Sequence, residues 1–230
     1  MNNTEIEAAA RRRLHETMLV ELEEKGFERI ELPRALRSAG VSESAFEASY
    51  ESVEDCVFDA YDEQTALLDS AVREACRGEG EGAPWTERVS AGLGAMLEAL
   101  AARPRMARAV LCSFPSIGPR AQARAQAFAE SFGPMLAGGR AASDHAAELP
   151  REVEMLATGA VEAIVFEEVE AGRAKELPAM LPALLFSVLV PFLGPERGIE
   201  EMEKVRRRPG SDGAGAPDSR SATDGCRSKN

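Results

Sequence analysis

The sequence contains only two histidines, His15 and His145, and its four cysteines are scattered without a CxxC pair. Structural zinc needs clustered Cys and His ligands, and general acid–base catalysis most often uses histidine, so the sequence favours neither kind of site. A glycine-rich phosphate loop and a nucleophile elbow are also missing. We therefore predict that the protein is not an enzyme and holds neither a metal nor another cofactor.

Long hydrophobic segments are missing as well. The longest apolar run, residues 180–193, has 14 residues and includes two prolines, whereas a membrane-spanning helix needs about 20 apolar residues. The N-terminus lacks the apolar region of a signal peptide. Scattered cysteines without a partner are typical of reduced thiols in the cytosol. These features predict a cytoplasmic protein that does not associate with membranes.

Aromatic residues make up only 5% of the chain, and the sequence has no clear alternating run of β-branched residues. Both features disfavour a β-sheet. Ala, Leu, Glu and Arg dominate instead, and these residues are good helix formers. Apolar residues also recur at helical spacing along most of the chain. The sequence therefore predicts an all-α fold.

Residues 26–63 contain two short helical patterns joined by a tight turn. The first pattern ends at Gly40, a helix stop signal, and Ser42 is a good N-cap for the second pattern. Phe46 is placed to face inward on the second pattern. Ser52 can then cap a longer helix with an acidic first turn. This arrangement predicts a helix-turn-helix that is followed by a long helix.

The same stretch resembles the head of a TetR-type (TetR/AcrR) transcriptional regulator. The residues that carry the resemblance follow one another in the family's order: Gly26 and Phe27, then Ala39, Gly40, Val41 and Ser42, then Phe46 and Tyr50, then Ser52, Val53, Glu54 and Asp55 running into Phe58 and Ala60. The resemblance covers about the first quarter of the chain. It implies an all-helical homodimer whose third helix enters the major groove of double-stranded operator DNA.

The resemblance also implies a division of the chain into parts. A helix-turn-helix DNA-binding domain is expected at residues 1–52, and a larger helical domain that binds a small molecule and dimerises is expected at 53–205. Residues 206–230 are rich in Gly, Ser, Asp and Arg. Such a composition cannot bury a core, so we expect a disordered tail there.

Two groups of residues are implied as DNA contacts. The basic group can bind phosphate and consists of Arg11, Arg12, Arg13, Arg34 and Arg37. The second group forms the outer face of the recognition helix and consists of Ser42, Glu43, Ser44, Glu47, Ala48 and Ser49. Their hydroxyls can bond bases or phosphate, and a Glu can accept from cytosine. The alternative is that both groups are simply solvated, as charged helix faces usually are.

The head departs from the family where it should face DNA. Family members usually carry Thr, Tyr, His and Lys at the positions of Glu31, Glu47, Ser49 and Val53. Residues 1–64 also contain seven Lys and Arg against sixteen Asp and Glu, a net charge of −9, whereas DNA-binding heads are normally basic.

Two hypotheses follow from the match and the departures. The first is a one-component regulator that binds operator DNA as a dimer and is controlled by a small hydrophobic effector. The alternative is a TetR-fold ligand-binding or dimerisation module that has lost DNA binding and pairs with a DNA-competent relative.

Further helices are predicted over residues 53–77, 121–135, 151–171 and 176–190, with an exposed loop over 138–150. The family resemblance implies an effector pocket among these helices. Its candidate lining residues are Trp85, Met96, Leu100, Met106, Phe114, Phe128, Phe132 and Ile164. Met and aromatic residues at helical spacing are more often plain core, so each is a candidate only.

The last two predicted helices carry apolar residues on more than one face, notably between Leu177 and Leu189. A helix that is apolar on several faces must be buried against more than one neighbour. We therefore predict a homodimer in which this pair of helices and its symmetry mate form a four-helix interface. Leu184 is expected to lie in that interface.

Overall fold

The structure, a computed structural model, describes residues 7–80 and 82–207. All regular elements in these residues are helical, which confirms the prediction of an all-α fold. The α-helices are α1 (Ala8–Lys25), α2 (Leu32–Ala39), α3 (Glu43–Ser49), α4 (Val53–Gly78), α5 (Trp85–Ala102), α6 (Pro104–Arg108), α7 (Pro119–Glu130), α8 (Gly133–Leu136), α9 (Gly138–Ala142), α10 (Val153–Glu170) and α11 (Leu181–Arg206). The tail predicted at 206–230 lies outside the described residues from position 208 onward.

The turn between α2 and α3 has the geometry that its sequence predicts. Gly40 ends α2 in the left-handed conformation, with φ 71° and ψ 34°, which glycine adopts readily because it has no Cβ. Ser42 then caps α3, since its Oγ accepts a hydrogen bond from the backbone N–H of Ala45 at 3.2 Å. Phe46 and Tyr50 are buried. The predicted helix-turn-helix is therefore present.

Helix α4 connects the helix-turn-helix to the rest of the protein. It begins shortly after α3 ends, and Ser52 caps it by accepting a hydrogen bond from the backbone N–H of Asp55 at 3.1 Å, as the sequence predicts. The helix is 26 residues long and packs against both α1 and α5. One continuous helix therefore runs from the recognition helix into the C-terminal helices.

Two clusters of buried apolar residues hold the helices together. The first includes Leu14 from α1, Phe46 from α3, Phe58 from α4, and Phe114 from the short 3₁₀ segment Phe114–Ile117. The second is built mainly from α5, α10 and α11. Because the first cluster extends into α4 and Phe114, helices α1 to α3 share their core with residues beyond position 53.

The middle of the chain is more broken than its periodicity predicts. The single helix expected over 121–135 ends at Glu130, and α8 begins separately at Gly133. Pro134 explains the break, because it has no N–H for the hydrogen bond that would continue the first helix. The loop expected over 138–150 instead contains α9 and a 3₁₀ turn, Ala146–Glu148.

The last helix is longer and less regular than the prediction of residues 176–190. It is preceded by a 3₁₀ segment, Ala174–Met180, and α11 continues to Arg206. Gly194 interrupts α11 with φ 79° and ψ 168°, a conformation that residues with a Cβ rarely adopt. A kink at this glycine therefore divides α11 into two parts.

The segment Ala174–Arg206 is, by length and composition, the one stretch in the described residues that could cross a membrane. About a third of its most apolar window, 33%, is buried inside the protein. Leu184 belongs to this buried part, is 1% exposed, and packs in the second cluster. The expectation that Leu184 lies in a dimer interface is therefore corrected, because its side chain faces the protein's own core.

Candidate DNA-binding surface and ligand cavity

The residues predicted on the recognition helix do lie together on the solvent side of α3. Ser42, Glu43, Ser44, Glu47, Ala48 and Ser49 are all exposed. Their hydroxyls already have partners within the helix: Ser44 bonds Ser42 at 3.2 Å, and Ser49 Oγ donates to the carbonyl of Ala45 at 2.9 Å. Glu43 and Glu47 form no ion pair with any described residue. The outer face of α3 is therefore acidic.

Two of the five predicted arginines contact segments that are distant along the chain. Arg13 Nε donates to the carbonyl of Ala39 at 3.1 Å, which fastens α1 to the end of α2. Arg12 Nε lies 3.9 Å from a carboxylate oxygen of Glu63 on α4. These contacts give both arginines a structural partner, and nothing in the sequence signals pairs so far apart along the chain.

The remaining arginines differ in their surroundings. Arg34 Nε lies 3.6 Å from a carboxylate oxygen of Glu21, and its side chain is 54% exposed. Arg11 and Arg37 are exposed and form no ion pair with any described residue. The side chain of Arg12 is 65% exposed, so Arg11, Arg12, Arg34 and Arg37 are the predicted cations that remain accessible to an external anion.

The unusual Glu31 is neutralised by a neighbour. Lys25 Nζ lies 2.8 Å from Glu21 and 2.9 Å from Glu31. These two carboxylates raise the pKa of Lys25, and the hydrogen bond from Lys25 lowers the pKa of Glu31. The position where the family resemblance expects a phosphate-binding Thr is thus occupied by an internal ion pair.

A buried hydrogen-bond chain connects α1, the end of α3 and α4. His15 is 3% exposed; its Nδ1 lies 2.5 Å from Glu63 Oε2 and its Nε2 lies 2.7 Å from the hydroxyl of Tyr50. A carboxylate can only accept, so Nδ1 carries a proton that it donates to Glu63, and the hydroxyl of Tyr50 is the hydrogen-bond partner of Nε2. Burial raises the pKa of Tyr50 and keeps its hydroxyl protonated for this role. Tyr50 is one of the residues that carry the family resemblance, but the bond to His15 is not visible in the sequence.

An apolar cavity of about 290 Å³ lies between α4, α5, α7 and α10. Four of the predicted ligand residues line it: Met96, Leu100, Phe128 and Phe132. The phenyl rings of Phe128 and Phe132 meet edge to face with 5.1 Å between their centroids. The structure therefore brings half of the predicted set into one cavity.

The other four predicted ligand residues do not line this cavity. Trp85 donates its indole N–H to the carbonyl of Met135 at 3.0 Å and borders a second, more open depression. Met106 and Phe114 are buried in the cluster that joins the helix-turn-helix to α4. Ile164 packs against the C-terminal cluster. Each of them fills core space, as apolar side chains at helical spacing usually do.

Several lining residues were missing from the sequence-based set. Tyr61, Leu68 and Val72 come from α4, and Gln122 and Gln126 come from α7. Their spacings of seven, four and four residues place each group on one helix face. The spacing in the sequence could have predicted that each group shares one helix face. It could not have predicted that the face borders a cavity.

Glu162 on α10 is the charged residue at the edge of the cavity. Partial burial raises the pKa of its carboxyl. Thr158, one turn earlier on α10, also lines the cavity, and its hydroxyl is already bonded to the carbonyl of Glu154 at 2.9 Å. Among the described residues, no three His, Cys, Asp or Glu side chains are grouped so that they could hold a metal ion.

Helices α10 and α11 pack against each other and leave apolar residues uncovered. Met155 and Leu156 on α10 are 58% and 61% exposed, and Ala163 two turns later is also exposed. On α11, Ala183 is exposed and Val190 is half-buried. We refer to these five residues as the outer face of α10 and α11.

No protein-family model matches the chain, and no curated protein matches it. Among solved structures, the fold is similar to that of the fatty acid degradation regulator FadR from Bacillus halodurans. The TM-score is 0.69 and the sequence identity is 14%, and the match covers 80% of this chain and 97% of that chain. A likeness at this identity shows the all-helical fold that the two proteins share.

Proposed function

We propose that this protein is a TetR-like one-component transcriptional regulator that binds operator DNA as a homodimer and responds to a small hydrophobic effector. The observation that carries the proposal is the course of α4. This helix starts beside the recognition helix, and its residues Tyr61, Leu68 and Val72 line the apolar cavity. One rigid element therefore touches both the proposed DNA-binding surface and the proposed effector.

The coupling works through contacts at the start of α4. Glu63 on α4 holds His15, and His15 holds Tyr50 at the end of α3. An effector that fills the cavity packs against Tyr61, two turns before Leu68, the next residue of α4 that lines the cavity. A small shift of α4 would then be passed to α3 and change the spacing of the two recognition helices in a dimer.

The outer face of α10 and α11 supports the dimer. Burying exposed apolar side chains such as Leu156 in an interface stabilises the complex by roughly 25 cal/mol per Å² of apolar area removed from water. A two-fold axis beside these helices would bring the outer faces of two copies together as a four-helix interface.

A second candidate function is favoured by the charge of α3. Glu43 and Glu47 place unpaired carboxylates where a DNA phosphate would approach, and Arg13 is bonded to the carbonyl of Ala39 within the protein. Phosphate contacts supply most non-specific affinity for DNA. A TetR-fold module that retains the cavity and the dimer but has lost DNA binding fits these charges.

A gain-of-function variant tests whether α3 faces DNA. The triple substitution Glu31→Thr, Glu47→Tyr and Val53→Lys introduces the residue types usual in the family and removes one of the two carboxylates that contact Lys25. Binding to a random DNA duplex, measured by fluorescence anisotropy across a salt series, should become tighter. The slope of log K against log salt should also steepen by about 0.9 for each additional phosphate that the variant binds.

The matched control is Glu148→Gln, Glu176→Gln and Glu200→Gln, three exposed positions beyond α4. This control changes the net charge by the same +3 without altering the head. If only the head variant binds more tightly, α3 faces DNA. If both variants improve equally, net charge alone is responsible, and if neither improves, α3 does not face DNA as proposed.

A further inference from the structure

The lining of the cavity contains one side chain with a full charge, Glu162. Lys, Arg and His are missing from the described lining, whose other polar side chains are the neutral Tyr61, Gln122, Gln126 and Thr158. A carboxylate ligand would therefore find no cation in the cavity and would meet a like charge at its edge. Two negative charges close to each other disfavour the ionised forms of both carboxyl groups.

Glu162 lacks the arginine partner that Glu154 and Glu168, two other acidic residues of α10, have. Glu154 bonds Arg140 at 2.6 Å and Glu168 bonds Arg173 at 2.7 Å. Glu162 forms neither an ion pair nor a side-chain hydrogen bond with any described residue. Burial raises the pKa of its carboxyl, because removing a carboxylate from water without a countercharge disfavours the charged form.

Aromatic rings also line the cavity. Phe166 follows Glu162 by one turn of α10, and Phe128 lies across from them on α7. Tyr61 meets Phe128 edge to face, with 6.5 Å between the ring centroids. The faces of such rings attract cations, and an unpaired carboxylate beside them strengthens that preference.

We infer that the effector is a lipophilic cation, with an apolar body inside the cavity and one positively charged nitrogen beside Glu162. This inference rests on the proposed function, in which the cavity holds the effector. The cation supplies the countercharge that Glu162 lacks. Gln122 and Gln126, whose amides have oxygen acceptors, line the same cavity and can accept from a protonated amine.

Three probes of equal length and different charge test the inference. The cation is 4-phenylbutyltrimethylammonium, the neutral probe is the hydrocarbon in which carbon replaces its nitrogen, and the anion is 5-phenylpentanoate. Calorimetric titration of the full chain should give the highest affinity for the cation and the lowest for the anion. Glu162→Gln should weaken binding of the cation by about fivefold, as expected for a half-exposed ion pair, and leave the neutral probe unchanged.

Two further variants make the result specific. Glu167→Gln removes the same charge from the exposed side of α10 and should change no affinity. Ala125→Phe places a ring in the cavity and should weaken all three probes, which locates them there. The thermal melting temperature of Glu162→Gln should match that of the unchanged chain.

The outcomes separate this inference from the proposed function. If the cation and the neutral probe bind equally and Glu162→Gln has no effect, the effector is not selected as a cation, while the cavity remains an effector site. If the anion binds best, the inference is overturned in the same way. If none of the probes binds, the cavity is not an effector site, and both the inference and that part of the proposed function fail.

Discussion

The buried chain from Tyr50 through His15 to Glu63 gives a quantitative prediction. Tyr50→Phe removes one hydroxyl and leaves the ring volume unchanged. The Nε2 atom of His15, which lies 2.7 Å from that hydroxyl, then has no partner. Since His15 is only 3% exposed, water cannot easily replace the lost partner.

The expected cost follows from this burial. A buried polar group that loses its partner destabilises a protein by about 1–3 kcal/mol. His15→Leu should cost a similar amount, because it leaves the Tyr50 hydroxyl without its partner, although Glu63, with a side chain 28% exposed, can turn to water. The double variant removes both groups at once. It should therefore cost less than the sum of the single variants by about 1–2 kcal/mol.

The unchanged chain, the two single variants and the double variant form a double-mutant cycle that urea denaturation can measure. All four should be compared at the same protein concentration, because the unfolding midpoint of a dimer depends on concentration. The slopes of unfolding free energy against urea should agree among the four, so that the midpoints report stability. A coupling energy within about 0.3 kcal/mol of zero would refute the reasoning, since independent sites add to within that error. The hydrogen bond would then contribute nothing to holding the end of α3 on α1.

Three further predictions concern the dimer, the shared core and the close approach of two helices. Leu156→Glu should convert the proposed dimer to a folded monomer, as measured by light scattering. The control Leu67→Glu changes a leucine of similar exposure on α4 (53% exposed) and should leave the dimer intact. If Leu156→Glu stays dimeric, the interface lies elsewhere. Phe114→Ala should lower the unfolding free energy by about 4 kcal/mol in urea, because its ring is fully buried, and a loss below about 1 kcal/mol would contradict the packing. Gly92→Ala should destabilise by about 1–3 kcal/mol, because its new Cβ would lie 2.5 Å from Cys76 Sγ. At Gly94, two residues later, an added Cβ would have its nearest neighbouring atom at 3.4 Å, an ordinary van der Waals contact. Gly94→Ala should therefore stabilise α5 by about 0.5–1 kcal/mol. If the two variants change the thermal melting temperature equally, the helices move apart to accommodate the Cβ at position 92.

The head of the protein was predictable because its signals are local. Gly40 ends α2. Ser42 and Ser52 begin the next two helices, and each accepts a hydrogen bond from the backbone N–H three residues later. The same is true of the all-α fold, which follows from composition and periodicity. Such features depend on neighbours along the chain, and the sequence displays those neighbours directly.

The cavity and the role of the arginines were less predictable because they depend on distant segments. Phe114 and Phe128 have the same residue type and similar spacing signals, but one fills the core beside Tyr61 and the other lines empty space. Arg13 looked like a phosphate contact and instead bonds the carbonyl of Ala39. Glu162 is one of many glutamates in the sequence, and only the packing of α7 against α10 distinguishes it.

The most direct test of the proposed regulator is a mobility-shift assay of the full chain on the DNA upstream of its own gene. At low salt a regulator should give a discrete complex with two chains per site, and about a tenfold excess of random duplex should not remove it, since specific sites bind at least about 10³ times more tightly than random DNA. The absence of any complex at protein concentrations up to about 10 µM, a range in which even non-specific binding begins to be seen, would contradict operator binding. That result would leave the TetR-fold module without DNA binding as the function of this protein.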